Sequence, residues 1–575
     1  MSAPDSLLDL PTELVRIIVS YVHRHALPNT RLTCSFLYKI ATEYYLYENL
    51  VLDSRCWGGH QKLLTGNDFF NDIVQHEGLI RGLKFICPNP RRRKCRKCQR
   101  EAKGPRNLVK LFSTDNTSRF TNLTALRILS PSVFSSNNKS IVDLIKRFPD
   151  ITELSIPITR SLIRRPDFQE AVLRLRCLKS LAFGVQWPIR VLDISDMDFS
   201  AIWEVVNANS ESLRCLRADF CHYEFEDGNH LRRNLMSNNT NTDSTRMSHF
   251  ADYIWQIIRS KTHGYFPIRK SDWPKRMNLR VLQLRTFQDE RPSQIYKNPE
   301  FLQPDTLEII SLIVCRNAGE ILNDLASKFA NLRYLQFIGS ITHVTNIEGV
   351  LRLLPTPLTA LNIMMSSPDP RQFDYTCLER HEQSLRHLSF FHRRDPTNLL
   401  ILNTLLAHKD HSRGADAMSS TKFTRLEELR LSVSLIKGGF ENLTLPPKVR
   451  YIYIEDTGSE DFSSEDEREK AYSELVEAYV QKQIPLSEDS ERCLEVVAVI
   501  PGSNDPSIQL ETIFLTIERC ATLNKKKEAG SCSVRPTVKV VSKDEVKRRF
   551  PDSCYVFDFG ECPEAFQWKW IERYI

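Results

Sequence analysis

Glycine is scarce in this chain, 19 of 575 residues, and the motifs GxxxxGK[ST], GxGxxG, GxSxG and HExxH are absent. The familiar phosphate cradles, nucleophile elbow and zinc-protease helix are therefore missing. No segment approaches the roughly 18 to 20 uncharged apolar residues of a membrane-spanning helix, so no membrane partner is expected. Asp5 and Asp9 stand near the N-terminus without a basic flank, unlike a secretory signal. These absences lead to the expectation of a protein of the cytoplasm and/or nucleus. The 15 cysteines are an odd number scattered from Cys34 to Cys562, which suits reduced thiols better than a disulfide framework. Cys95-x-x-Cys98, with Cys87 upstream, is the one CxxC pair, too few ligands for a zinc site. Among the 14 histidines, His23-x-His25 stand close together but lack a nearby cluster. No catalytic residue, metal or cofactor is expected.

A surplus of charge is present but local. The net charge is +7 and the pI about 8.6. Residues 91–106 hold nine basic residues and one acidic, a local charge of +8, which leaves −1 for the rest of the chain. Such a run is either a solvated insertion or an electrostatic footprint for an acidic partner, nucleic acid or nuclear import. No aromatic residue is interleaved in it, so base stacking is unsupported. The acidic segment Glu455–Glu467 reads as a solvated loop.

The first fifty residues are patterned as helices. Asp9 suits a cap, Pro11 a first turn and Glu13 a helix N-terminus, and apolar residues recur at Leu14, Ile17, Ile18, Tyr21 and Val22. Val15 and Val19 widen the apolar face beyond what one packing partner needs. After Pro28 comes a second amphipathic stretch, Arg31 to Ala41, and then an aromatic, strand-like stretch from Tyr44 to Leu52. About 45 residues of short helices bury little surface alone, so docking on a partner is expected.

These residues resemble an F-box: Leu10-Pro11-Thr12-Glu13-Leu14, Ile17-Ile18, Tyr21-Val22, Arg31-Leu32-Thr33-Cys34, Phe36-Leu37-Tyr38, Ile40-Ala41 and Leu46-Tyr47. The resemblance implies a three-helix module over residues 1–52 that binds the Skp-type adaptor of a cullin–RING ligase core. By position the adaptor-facing residues are Leu10, Pro11, Leu14, Ile17, Ile18, Leu32 and Cys34. The pattern departs from the family at His25-Ala26-Leu27, where an acidic residue is usual, and at Leu37, where a large aromatic is usual.

The remainder repeats. A unit of apolar-x-x-apolar-x-apolar recurs at Ile80, Leu123, Ile151, Leu178, Leu213, Leu279, Leu307, Leu332, Leu358, Leu385, Leu426 and Val449 as first positions. Spacings from Leu279 onward are 28, 25, 26, 27, 41 and 23 residues. Leucine-rich repeats have a period of about 20 to 29 residues. The segments Ile141–Phe148 and Glu320–Phe329 read as helices between strands. The whole resembles an F-box/leucine-rich-repeat protein of the fungal type: an α/β chain whose N-terminal three-helix module is followed by an irregular βα solenoid. Within it, residues 53–120 are expected to hold the first irregular repeats, 121–455 the main solenoid with a polar insertion at about 225–272, and 456–575 an acidic loop, a helix (471–483), one further unit at Leu510/Ile513/Leu515 and a closing aromatic cap.

On each strand the residues between the apolar ones point to the opposite face. Tyr334, His387, Phe391, Arg430, Tyr451 and Tyr453 are accordingly expected on an exposed sheet face, with Gln336, Asn362, Met364 and Ser389, and to bind an unknown target protein. The expected function is that of a substrate-recognition adaptor in an SCF-type ubiquitin ligase, not an enzyme. The alternative is a scaffold without a ubiquitin role, tied to nucleic acid or chromatin by residues 91–106.

Overall fold

A computed structural model describes residues 10–20, 33–37, 40, 49–53, 81–86, 122–128, 138–158, 160–185, 200–219, 277–285, 303–313, 318–340, 344–366, 374–392, 423–433, 445–446, 448–456, 464–483, 494–500, 512–522 and 533–550. The basic run 91–106, Cys87, His23, His25, the polar insertion and the closing aromatic stretch lie outside these residues, as does most of the expected second and third helices. The chain divides into two compact units, residues 1–226, 262–279 and 297–303, and residues 227–261, 280–296 and 304–575.

In the first unit six strands lie parallel in chain order: β1 (Asn49–Asp53), β2 (Gly82–Ile86), β3 (Ala125–Ile128), β4 (Glu153–Ile158), β5 (Ser180–Val185) and β6 (Cys215–Asp219). Its helices are α1 (Thr12–Ser20), α2 (Asn138–Arg147), α3 (Arg160–Ile163), α4 (Pro166–Leu173) and α5 (Ser200–Ala208). The repeat sets the register: Leu83, Leu126, Leu154, Leu181 and Leu216 are side-by-side partners on β2 to β6. All five are buried, with the helix residues Ile145, Phe168, Val172 and Val205.

The second unit repeats this plan. Strands β7 (Val281–Arg285), β8 (Ile309–Ile313), β9 (Tyr334–Ser340), β10 (Ala360–Ser366), β11 (His387–His392), β12 (Glu428–Val433), β13 (Tyr451–Asp456) and β14 (Val496–Ile500) run parallel. Leu282, Ile310, Leu335, Leu361, Leu388, Leu429, Ile452 and Val497 form one buried column across them. Helices α6 (Ala318–Leu325) and α7 (Val344–Leu353) fill two crossovers, and a 3-10 helix (Tyr375–His381) fills a third.

Before β2 to β5 and β7 to β13, the carbonyl of the residue preceding the strand accepts two successive N–H groups from the next repeat. Arg333 O takes Thr359 N at 2.8 Å and Ala360 N at 3.1 Å, and Arg386 O takes Glu427 N and Glu428 N at 2.8 and 3.0 Å. The same fork stands at Arg81, Thr124, Thr152 and Lys179 in the first unit and at Arg280, Glu308, Thr359, Glu427 and Arg450 in the second. Side chains at these positions join in two-pronged pairs, Arg280–Glu308, Arg386–Glu427 and Arg450–Glu495. Half-exposed pairs of this kind contribute about 0 to 1 kcal/mol each, whereas truncating one buried leucine costs about 2 to 5 kcal/mol. The apolar column therefore holds the sheet together and the ion pairs trim its edge.

The parallel sheet continues past residue 456, where β14 pairs with β13. Two expectations change in the second unit. Ile513 and Leu515 do not open another parallel repeat: β15 (Ile513–Thr522) runs antiparallel to β14, and β16 (Ser533–Val541) antiparallel to β15. The acidic segment is only partly a loop, since Glu455 and Asp456 end β13, and Glu465, Asp466 and Glu467 form the first turn of α8 (Glu465–Gln483). Carboxylates favour a helix N-terminus, and Ser464 Oγ caps it by accepting from Glu467 N at 3.2 Å.

Two side chains seal the turns between repeats. Asn209 donates through Nδ2 to Leu175 O and Val205 O, both at 2.8 Å, and accepts at Oδ1 from Leu178 N at 2.9 Å. His381 takes the corresponding place, four residues before Leu385 as Asn209 is before Leu213. Its Nδ1 accepts from Leu358 N at 3.1 Å and its Nε2 lies 3.0 Å from Leu351 O. With Nδ1 accepting, the fitting state is the neutral ring with its proton on Nε2, and burial lowers the pKa from 6.5 to about 4. The unfolded chain then binds the extra proton first. Stability from this site is complete above pH 6.5 and is lost as the pH falls toward 4. Urea unfolding of wild type and His381→Asn between pH 7.5 and 4.5 is expected to show wild type losing about 2 to 3 kcal/mol relative to the variant.

Candidate functional site

Two surfaces carry the residues singled out by sequence. The first is helix α1. Pro11 O accepts from Leu14 N at 2.9 Å and Val15 N at 3.1 Å, starting the helix where the proline suggests. Val15 and Val19 are buried with Leu37 and Ile40, so both valines serve the module's own core. Leu14 and Ile18 lie on another side of the helix and are 46% and 40% exposed, and Pro11 is exposed beside them. Large apolar side chains held out by a helix whose other face is satisfied make a docking ridge.

The remaining adaptor-facing candidates divide. Leu10 and Cys34 pack inward against the valine cluster. Cys34 Sγ accepts from Leu37 N at 3.4 Å, capping the short helical stretch that follows, so here the side chain has an internal task. Leu32 and the side chain of Ile17 lie outside the described residues. Residues 7–49 match the F-box domain family, so the chain carries an F-box domain over this segment. F-box domains bind Skp-type adaptors. No curated protein matches the chain.

The second surface is the face of the second unit's sheet turned away from the leucines. One row across β9 to β13 is Tyr334, Ala360, His387, Glu428 and Tyr451. The neighbouring row is Gln336, Asn362, Ser389, Arg430 and Tyr453, extended backwards by Ser311 and Gln283. The alternation expected from sequence is there, but the exposure is not: Tyr334 and Arg430 are 5% exposed, Tyr451 2% and Tyr453 1%. In-register strands flank each side chain with its counterparts on both sides. Thus Ser311 Oγ donates to Gln336 Oε1 at 2.5 Å, and the Arg430 guanidinium lies 4.7 Å from the centre of the Tyr453 ring. His387 keeps partial exposure, with Nδ1 3.3 Å from Glu428 Oε2. The side chains of Phe391 and Met364 lie outside the described residues.

Tyr451 and Tyr453 are covered by the chain itself. They cluster with Val496, Ala498, Phe514 and Val546, and Val541 and Phe550 pack against them. Val546 belongs to helix α9 (Lys543–Arg549), which nothing in the repeat pattern announces. Burial, with Glu495 close by, pushes the Tyr451 hydroxyl up, so it stays protonated.

The buried thiols of Cys215 and Cys377 are pushed up by desolvation, Cys215 to about 11, which makes them poor nucleophiles. Among the described residues no group of three or more His, Cys, Asp or Glu stands ready for a metal, and no helix is long and apolar enough to cross a membrane.

The two sides of α1 give opposite expectations. Val15→Asp buries a carboxylate in the valine cluster and removes amide hydrogen-exchange protection over residues 12–20. Ile18→Asp leaves that protection within about twofold of wild type, as exposed substitutions do.

Proposed function

We propose that the chain is a substrate-recognition adaptor of an SCF-type cullin–RING ubiquitin ligase. Its F-box domain docks the Skp-type adaptor, and its repeats, read as an irregular leucine-rich-repeat solenoid, hold a target protein. The observation that carries this reading is the F-box match over residues 7–49, on a helix that buries Val15 and Val19 and presents Leu14 and Ile18 outward. The chain catalyses nothing itself. Its contribution is effective concentration: a target tethered beside a ubiquitin-loaded enzyme meets it at a local level that free diffusion does not supply. In this reading the target approaches the outward face of the second unit's sheet, where His387 keeps partial exposure while Tyr334, Arg430, Tyr451 and Tyr453 are buried and have to be uncovered to make contact. The place of action is the cytoplasm and/or nucleus, where cullin–RING ligases and their targets meet.

Co-purification with a Skp-type adaptor tests the docking half. Leu14→Asp combined with Ile18→Asp is expected to cut adaptor recovery at least tenfold while the protein stays folded. Equal recovery from wild type and variant contradicts the proposal.

A further inference from the structure

The aromatic end of the outward sheet face is closed by a small element. Helix α9 has seven residues, below the roughly 12 to 15 that an isolated helix needs in water, so the sheet holds it in shape. Phe550 N donates to Val546 O at 2.8 Å, which brings Val546 and Phe550 onto one side of the turn. That pair covers Tyr451, Tyr453, Val496, Ala498 and Phe514, and Tyr451 meets Phe550 edge-on with ring centres 6.2 Å apart. Cations line both partners: Arg450 lies 5.0 Å from the Tyr451 ring centre and Arg549 5.2 Å from that of Phe550. Arg549 also reaches Glu518 of β15 at 3.2 Å, a carboxylate that Lys539 of β16 holds at 2.5 Å. Val546 is the fully buried anchor, whereas Glu545 and Phe550 are half-buried and Arg548 and Arg549 exposed. A broad aromatic and arginine patch, the composition of an interaction hot spot, is thus sealed by one anchor, one ring and a solvent-facing ion pair that salt screens.

We propose that the outward face of β13 to β15 is a docking site for a short helix bearing two apolar side chains four residues apart, and that α9 occupies this site intramolecularly until such a segment of a target displaces it. The occupant defines the partner: Val546 and Phe550 supply the apolar pair, and Arg549 adds an ion pair to Glu518 beside Lys539. The proposal rests on the reading of the outward sheet face as the target surface, but not on adaptor binding.

The test uses the full-length protein and a fluorescein-labelled peptide of residues 540–550, followed by anisotropy. In wild type the tethered copy competes at an effective concentration of about 1 mM. Val546→Asp with Phe550→Asp ejects that copy, and the variant is expected to bind the peptide at least tenfold more tightly than wild type. A peptide carrying the same two substitutions should not bind, and adding Tyr453→Ala to the opened protein should weaken binding at least fivefold. Equal binding by wild type and opened protein overturns the proposal. So does absence of binding to an opened protein whose hydrogen-exchange protection over β7 to β12 matches wild type. Should the Asp variant lose that protection, Val546→Ala with Phe550→Ala takes its place and must bind at least threefold more tightly than wild type. Because no Skp-type adaptor is present, failure here is distinct from failure of the F-box reading.

Discussion

The forked hydrogen bond that recurs before β2 to β5 and β7 to β13 is the constraint on which the rest depends. One carbonyl accepting two successive N–H groups fixes where the next strand begins, as at Arg333 with Thr359 and Ala360. A slip of one residue would exchange the two faces of every strand. With the register fixed, the second apolar residue of each repeat pattern lands beside its counterpart, and Leu335, Leu361, Leu388 and Leu429 stack into one column. The polar row Gln336, Asn362, Ser389 and Arg430 is the same constraint seen from the other side.

Much of this was legible in the sequence because it is local or periodic. The spacing between Leu279 and Leu385 places β7 to β11, and the alternation within each unit assigns the leucines to the core. The F-box pattern is equally local. Exposure was not legible, since it depends on neighbours from other repeats and on α9: Tyr451 and Tyr453 point away from the leucines as expected, yet lie under Val546 and Phe550, about a hundred residues later in the chain. Asn209 and His381 were also missed. Their signal was present, each four residues before a core leucine with a serine (Ser212, Ser384) just ahead of it, but two occurrences make a faint motif.

The functional surfaces follow from what each element leaves over. On α1 the valines satisfy the module's own core, and Leu14 and Ile18 remain for a partner. On the second unit's sheet the leucines fill the buried column, and the opposite rows are polar and aromatic but shielded by their neighbours on adjacent strands. The net positive charge resides in residues 91–106, which lie outside the described residues, and the rest of the chain sums to about neutral.

The central claim is that helix α1 docks a Skp-type adaptor through its exposed side, without involving the second unit's sheet. Amide hydrogen exchange of the full chain with and without a Skp-type adaptor measures this directly. The account predicts new protection over residues 12–20 and an unchanged pattern over β7 to β14. Protection that appears on the sheet strands, with residues 12–20 unaffected, would contradict it.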